Sequence, residues 1–288
     1  MVATLLLSID FEDWHQLVHR RFGRADWDRP HPAFSRQVRA VLDLLDELGA
    51  RATFFFLGMT VDNYPELVAE VTARGHEPAS HGYAHARVHE QTRAEFRRDL
   101  ARSIETIQRA AGARPNAFRA PAFSINRRTP WAYEELVALG FRSDSSQYDS
   151  PRIPNRIGAI PREPYRLHVD GGELWELPVA TWGPLPVGGG SYWRVLPTRV
   201  LERGLRDYSV LYFHPYEFSA EPLRAELPRT AAATRLELWR NTGRGLVAAR
   251  LRQIARRHRL VSYDQAHADI VRRYGSRSRS LSQAGVLV

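Results

Sequence analysis

Apolar residues follow two rhythms along this chain. Short unbroken runs, such as Thr4-Leu5-Leu6-Leu7-Ser8-Ile9, have the length of a buried parallel strand. Between them, apolar residues recur at helical spacing, as in Val38, Val41, Leu42, Leu45 and Leu48, and stop at a glycine, here Gly49. The pattern predicts strands at 4–9, 52–57, 76–79, 117–118 and 141–143, and helices at 34–48, 65–74, 92–111 and 129–139. Gly75, Gly112 and Gly140 stand at the ends of the later helices. Thr92 with Glu95 three residues on is a capping-box signal that places one helix start.

Strand and helix alternating over short links is the signature of a parallel α/β architecture. The rhythm breaks at 150–195, a Pro- and Gly-rich excursion containing Gly188-Gly189-Gly190 and hairpin pieces such as 174–179. A loop that long inside a compact domain is usually functional. Regular elements resume as a helix at 198–206, a strand at 210–213, helical stretches over about 230–257, a strand at 260–262 and a last helix from Tyr263. The Ser/Arg-rich stretch 276–282 reads as a frayed tail. Neither an internal repeat nor a domain boundary is visible. The expectation is one domain over 1–275, including the insertion, followed by a flexible tail at 276–288.

Composition narrows the chemistry. The 288 residues are 43% hydrophobic and 25% charged, values of an ordinary globular domain with a sizeable core. The absence of cysteine excludes disulfides, thiolate metal sites and cysteine nucleophiles. All 41 basic residues are arginine, and the net charge is +9. They are dispersed, and no zinc-finger spacing, RNP-like run or heptad accompanies them, so a solvated surface is expected and nucleic acid is not. The longest apolar run near the start is too short for a signal peptide or membrane span, so a cytoplasmic or peripheral protein is expected. The sequence is silent on oligomeric state.

Four polar clusters fall just after predicted strands, where parallel α/β folds gather their sites. Asp10-Phe11-Glu12-Asp13 packs three carboxylates into four residues, which repel unless a cation, a shared proton or solvent relieves them. His81-Gly82-Tyr83-Ala84-His85 sets two imidazoles four apart, a spacing that one helical turn would bring to a single metal ion. Two imidazoles and a carboxylate suit zinc or a similar divalent ion. Arg119-Ala120-Pro121 leaves backbone N–H groups free to face a ligand, and His214 ends the apolar strand at 210–213. Each cluster alone is explained by an acidic turn, a surface coincidence or a capping residue.

Taken in order, the clusters resemble the polysaccharide deacetylase family, also called NodB-homology or carbohydrate esterase family 4. Arg51-Ala52-Thr53-Phe54-Phe55-Phe56-Leu57-Gly58 and Gly75-His76-Glu77 are similar to its second strand and the lead-in to its histidine turn. More narrowly, Ser8 to Trp14, Phe118-Arg119-Ala120-Pro121, Gly188 to Arg194 and Phe213-His214-Pro215-Tyr216-Glu217 look like the branch found with bacterial exosortase and exopolysaccharide gene clusters. The resemblance implies an irregular (β/α) barrel of about seven parallel strands. It also implies hydrolysis of an N-acetyl, occasionally O-acetyl, group on an amino-sugar polymer. By the same resemblance His81 and His85 are metal ligands, Asp10 is the base and His214 the general acid. Arg119, with Asp144 as its carboxylate partner, would orient the base, and the Ala122 N–H would be an oxyanion donor.

The family's first motif has two adjacent aspartates, the second a metal ligand; here Phe11 stands in that position. Glu12 or Asp13 must take the role, and Glu12 is favoured because residues i and i+2 of an extended segment point the same way. One divalent ion is expected, zinc first, with cobalt, nickel or manganese as alternatives. Tyr192 and Trp193, beside the glycine run, are expected to line the sugar site, with Trp193 walling the acetyl pocket or an adjacent sugar subsite. The partner would be an acetylated polysaccharide or oligosaccharide. Two other readings are an amidase of the same fold acting on a small cyclic amide or ureide, and a non-catalytic carbohydrate-binding protein. The absence of a Gly-x-Ser-x-Gly elbow speaks against serine hydrolase chemistry.

Overall fold

The computed structural model describes residues 2–150, 156–282 and 284–288, so positions 151–155 of the excursion lie outside the described residues. In its first half the chain runs β1 (Thr4–Phe11), α1 (Trp14–Arg21), α2 (Pro32–Glu47), β2 (Thr53–Phe56), α3 (Gly58–Asn63) and α4 (Pro65–Ala73). Then come β3 (Glu77–Ser80), α5 (Arg93–Ala111), β4 (Ala117–Phe118), α6 (Trp131–Ala138) and β5 (Ser143–Asp144). The second half holds β6 (Tyr165–Val169), β7 (Gly172–Glu176), α7 (Gly190–Trp193), α8 (Thr198–Glu202) and β8 (Val210–Phe213). It ends with α9 (Ala231–Asn241), α10 (Gly245–Ala255), β9 (Arg259–Val261), α11 (Tyr263–Tyr274) and β10 (Ser278–Ser280).

One sheet carries the strands in the order β10-β6-β7-β5-β4-β3-β2-β1-β8, with β9 also against β1. All pairings are parallel except the β6–β7 hairpin. Bridges from Val179 to Val210 and from Gly189 to Tyr212 draw the far edge back towards β8, so the sheet curls like an open barrel without a continuous closing ladder. β1 is buried along nearly its whole length, which explains its unbroken apolar sequence. Its odd positions Leu5, Leu7, Ile9 and Phe11 pack with Phe34, Val38 and Leu42 of α2 and Val247, Leu251 and Ile254 of α10. Leu6 faces the other way, into a core shared with Phe55, Val210 and Ile270, and Asp10 lies on that inner side by alternation. Burial on this scale, at about 25 cal/mol per Å² of apolar surface, is what holds a cysteine-free sheet together.

The capping box at Thr92 forms as the sequence predicts, and Gly112 ends α5 in a left-handed conformation, φ 69°. Three expectations change. The helical stretch over 230–257 is two helices, broken at Gly243, whose φ is +70° and whose Cβ would stand 2.1 Å from the Arg194 carbonyl oxygen. The short helices α1 and α3 were not visible as periodicity, being one or two turns long. The tail at 276–288 is not frayed: Ser278–Ser280 pairs in parallel with β6, and Leu281 bridges to Leu287. Serine and arginine suit an edge strand, where side chains face water and the backbone supplies the pairing.

Candidate active site

The C-terminal ends of β1, β3, β4 and β8 share one rim of the sheet, and the site assembles there. Asp10 and Glu12 leave β1 on its inner side, while Phe11 between them turns outward against Phe34 and Phe56, at ring-centroid distances of 4.8 Å each. Phe11 is therefore a packing residue, and the carboxylate that faces the histidines is one residue on. Glu12 Oε1 lies 2.7 Å from His81 Nε2 and 3.1 Å from His85 Nε2. The two imidazoles do not share a helical turn as expected; they converge from a loop. Its shape rests on Gly82 (φ 75°), on His85 itself at φ 53°, and on Asp99 of α5, which accepts the Tyr83 and Ala84 N–H groups at 2.7 and 3.1 Å. A residue other than glycine held in the left-handed region is strained, and such strain clusters at functional sites.

This donor set fits a divalent metal. The ligand atoms of Glu12, His81 and His85 all lie within 4.8 Å of one another. His81 Nδ1 is 2.7 Å from the Arg119 carbonyl oxygen, so that nitrogen carries the hydrogen and Nε2 is aimed at the cluster, the usual arrangement behind a ligating imidazole. Burial pushes the Glu12 carboxyl up, but the charge and hydrogen bonds of His85 and His81 prevail and hold it well below the usual carboxylate range. For His81, burial pulls the imidazole down, and the hydrogen bond to Glu12 with the charges of Asp10 and Glu12 raises it above its ordinary value. The pocket thus favours positive charge beside Glu12.

Asp10 is buried and pairs with Arg119, whose Nη1 donates to Asp10 Oδ1 at 2.6 Å. The guanidinium is completely buried and held on every side. It donates to the Ser145 carbonyl and hydroxyl at 3.2 and 3.0 Å and to the Tyr263 hydroxyl at 2.8 Å, and lies 4.2 Å from the Phe55 ring centre. Across the pocket, His214 Nε2 is 3.6 Å from Glu12 Oε2, and its other ring nitrogen is 3.5 Å from Glu217 Oε2, an ion-pair distance too long for a tight hydrogen bond. Burial pulls the His214 imidazole down, and the carboxylates of Glu217, Glu12 and Asp10 outweigh it, leaving the ring above its ordinary value.

The glycine run explains how Glu217 is held. A Cβ on Gly190 would stand 2.0 Å from Glu217 Oε2, so only glycine lets this carboxylate settle behind His214. Arg194 Nε approaches Glu217 Oε1 at 3.7 Å, and Glu217 Oε2 accepts the His214 backbone N–H at 3.0 Å. Glu217, Arg194, Tyr263 and Ser145 carry no assigned role in the sequence reading. His214-Pro215-Tyr216-Glu217 is nevertheless a capping box with proline at its first position, a pattern that marks Glu217 as bonded back to His214.

Three sequence expectations are corrected here. Asp13 lies outside the metal cluster. It caps α1, its Oδ1 accepting the His15 N–H at 3.0 Å and its Oδ2 the Tyr64 hydroxyl at 2.9 Å. Asp144 is not the partner of Arg119, which pairs with Asp10 directly. Asp144 accepts from the Ser146 hydroxyl at 2.7 Å and sits opposite Glu176 in register, so its carboxylate faces that neighbour. Trp193 does not wall a pocket: it is fully buried, stacks edge-on against Phe213 at 5.0 Å and donates Nε1–H to the Val187 carbonyl at 2.8 Å. Tyr192 is half-buried beside it. Ala122 is exposed at φ 53°, ψ 27°, in the short turn Pro121–Phe123 that follows β4, next to Phe123, whose ring meets Tyr148 and Tyr212 at 5.2 and 5.1 Å.

Residues 28–141 match the family model for polysaccharide deacetylase, and residues 145–268 match a domain of unknown function, DUF3473. A chitooligosaccharide deacetylase of Sinorhizobium fredii is 32% identical over 140 residues, 46% of this chain and 62% of its own length. A peptidoglycan-N-acetylglucosamine deacetylase of Bacillus cereus is 30% identical over 96 residues, 33% of this chain and 35% of its own. The chain therefore spans between about a third and three fifths of these two curated relatives. Among solved structures, one assigned as a polysaccharide deacetylase from Mycobacterium smegmatis superposes with a TM-score of 0.62 at 22% identity, covering 93% of this chain and 90% of its own. A CE4 family pseudoenzyme from Bacillus anthracis superposes at 0.53 and 12% identity, covering 92% and 65%. The structural likenesses speak for the fold, and the sequence matches reach across the histidine turn and Arg119. With a parallel α/β sheet whose C-terminal rim gathers those residues, residues 28–141 of the chain carry a polysaccharide deacetylase domain of the NodB-homology, CE4 type.

Proposed function

We propose that this protein is a metal-dependent hydrolase that removes N-acetyl, or O-acetyl, groups from an amino-sugar polymer, with a bacterial exopolysaccharide as the substrate class. One observation carries the reading: Glu12, His81 and His85 converge between a buried Asp10–Arg119 pair and a half-buried His214 backed by the buried Glu217. Glu12, His81 and His85 would hold a zinc or similar ion. When bound, the ion supplies Lewis acidity to the acetyl carbonyl and to the attacking water.

The chain's own groups divide the proton work. Asp10, an anion fixed by Arg119, accepts the proton of the attacking water at Oδ2, the oxygen that Arg119 leaves free. His214 donates its Nε2 proton to the departing sugar nitrogen, which would otherwise leave as a poor amide anion. Glu217 keeps the other ring nitrogen protonated and the ring turned towards the pocket. The Ala122 N–H, presented by a left-handed backbone, is the oxyanion donor. Tyr192, at the half-buried edge, remains the proposed sugar contact.

The experiment is acetate release by the purified protein from acetylated polymers. The rate should vanish with chelator and return with Zn²⁺ or Co²⁺. Release that survives complete metal removal would overturn metal dependence. Metal binding without release from any acetylated glycan would return the protein to a carbohydrate-binding or small-amide reading.

A further inference from the structure

A cleft of about 110 Å³ opens from Glu12 and His214 and runs between α1 and α9. Its walls include Trp14, Arg21, Tyr216 and Arg240. Glu12 is its single acidic lining residue, and that carboxylate is already committed to His81 and His85. Two guanidinium groups therefore face the cleft with no acid to balance them: neither Arg21 nor Arg240 has an ion-pair partner among the described residues.

Two N–H donors in the same walls also lack acceptors among the described residues. Arg240 lends one nitrogen to the Tyr216 hydroxyl and lies 5.5 Å from that ring's centre, but its Nε is buried without a hydrogen-bond partner. Trp14 is 5% exposed, and its indole N–H has no partner either. A buried donor left unpaired is destabilising, and the arrangement persists most easily where a ligand or water supplies the acceptor. The missing complement is an anionic, acceptor-rich group immediately beside the reacting centre.

We infer that the cleft is a subsite for an acidic sugar, so that the substrate is a glycan in which a carboxylate-bearing residue neighbours the acetylated amino sugar. This rests on the deacetylase reading of the same site. Arginine presents paired N–H groups that match the two oxygens of a carboxylate, and Arg21 at the mouth with Arg240 in the wall brackets one sugar-sized volume. The surplus charge also fits a polyanionic chain, since a cleft of one sign draws in an oppositely charged polymer.

The test uses a matched pair: hyaluronan oligosaccharides, alternating N-acetylglucosamine and glucuronate, and the same oligosaccharides with their carboxyls reduced to alcohols. Acetate release by the metal-loaded protein should favour the acidic form by roughly five- to tenfold in kcat/KM, chiefly through KM, the range of one or two charge-assisted contacts at a partly exposed site. The preference should shrink as salt is raised. Arg21→Gln and Arg240→Gln should each lower the acidic-to-neutral ratio, and together bring it near one. Arg21 is exposed, so its variant tests the idea free of any folding defect. Equal kcat/KM on the two forms would overturn the acidic subsite while leaving the deacetylase reading intact. If neither form releases acetate, that reading falls for these glycans, and calorimetric binding of the pair to the same protein decides the subsite. A preference for the acidic form lost in Arg21→Gln supports it, and equal binding overturns it.

Discussion

Glu12 owes its place in the site to a single alternation. In an extended strand, Asp10 and Glu12 share one face and Phe11 the other, so with Phe11 turned outward the carboxylate that faces the histidines is one residue on. Each nearby acid has a separate environment and a separate test. Asp10→Asn keeps volume and the Arg119 contact but removes the proposed proton acceptor. We expect turnover to fall by roughly 10² to 10⁴ with metal still bound, checked by acetate release and metal analysis together. Glu217→Gln should lower kcat by roughly tenfold or more with little change in KM, because in the proposed mechanism the ring it steadies acts on the leaving group. Unchanged kcat would reduce Glu217 to a packing residue. Glu176 makes a different prediction. Burial, the Asp144 charge and the Asp144 contact raise its carboxyl well above the usual range. The folded state then holds a proton that the unfolded chain releases above ordinary carboxylate pH. Stability is present in full below that range and declines as pH rises, by up to about 1.4 kcal/mol per unit until the raised pKa is passed. Glu176→Gln should flatten this decline and raise the melting temperature at neutral pH, which thermal melts across pH 5–8 would read.

At the scale of elements, the glycine run and the last strand are informative. Gly190 opens α7, and its missing side chain is what allows Glu217 to reach His214. Gly190→Ala should therefore mimic Glu217→Gln in kcat, while an alanine at Gly245, which has open space around it, should leave kcat alone. Parallel loss in both would mean that kcat falls for reasons unrelated to Glu217. Ser278–Ser280 adds a parallel partner to β6, so a chain ending at Gly275 should lose several degrees of melting temperature; for a chain of this size about 2–4 °C corresponds to 1 kcal/mol. An unchanged melting temperature would show that the strand contributes nothing measurable.

The molecule as a whole is a sheet whose inner edge carries unlike charges that only a ligand or tight pairing reconciles. Metal should couple to folding: at a hundredfold excess over its dissociation constant, zinc adds about 2.7 kcal/mol to stability. Thermal melts with titrated Zn²⁺ should rise accordingly in the native protein and much less in His81→Ala. Affinity should weaken as pH falls, because His81, raised above its ordinary value, must lose a proton to bind. A melt indifferent to zinc in the native protein would contradict the cluster. No helix among the described residues is long and apolar enough to cross a membrane.

Much of this was legible in the chain because it depends on local physics. Apolar runs and helical spacing place most strands and long helices within a residue or two, since burial of one face is written as period 2 or 3.6. The carboxylate cluster, the histidine pair, Arg119 and His214 are visible because parallel strands deliver their C-terminal ends to one rim. What tertiary structure alone decided is which partner each group meets. Arg119 meets Asp10 rather than Asp144 because β1 and β4 face each other across the curled sheet, while Asp144 is in register with Glu176. Asp13 stood as the alternative ligand to Glu12 until α1 began at Trp14 and claimed it as a cap. Trp193 looked like a sugar platform and became core because α7 turns it inward onto Phe213. The tail looked solvated, and a backbone ladder, indifferent to side-chain polarity, drew it into the sheet. Pattern along the chain determines which residue types stand at the rim; distances between them come from curvature, register and the places where glycine lets backbones close in.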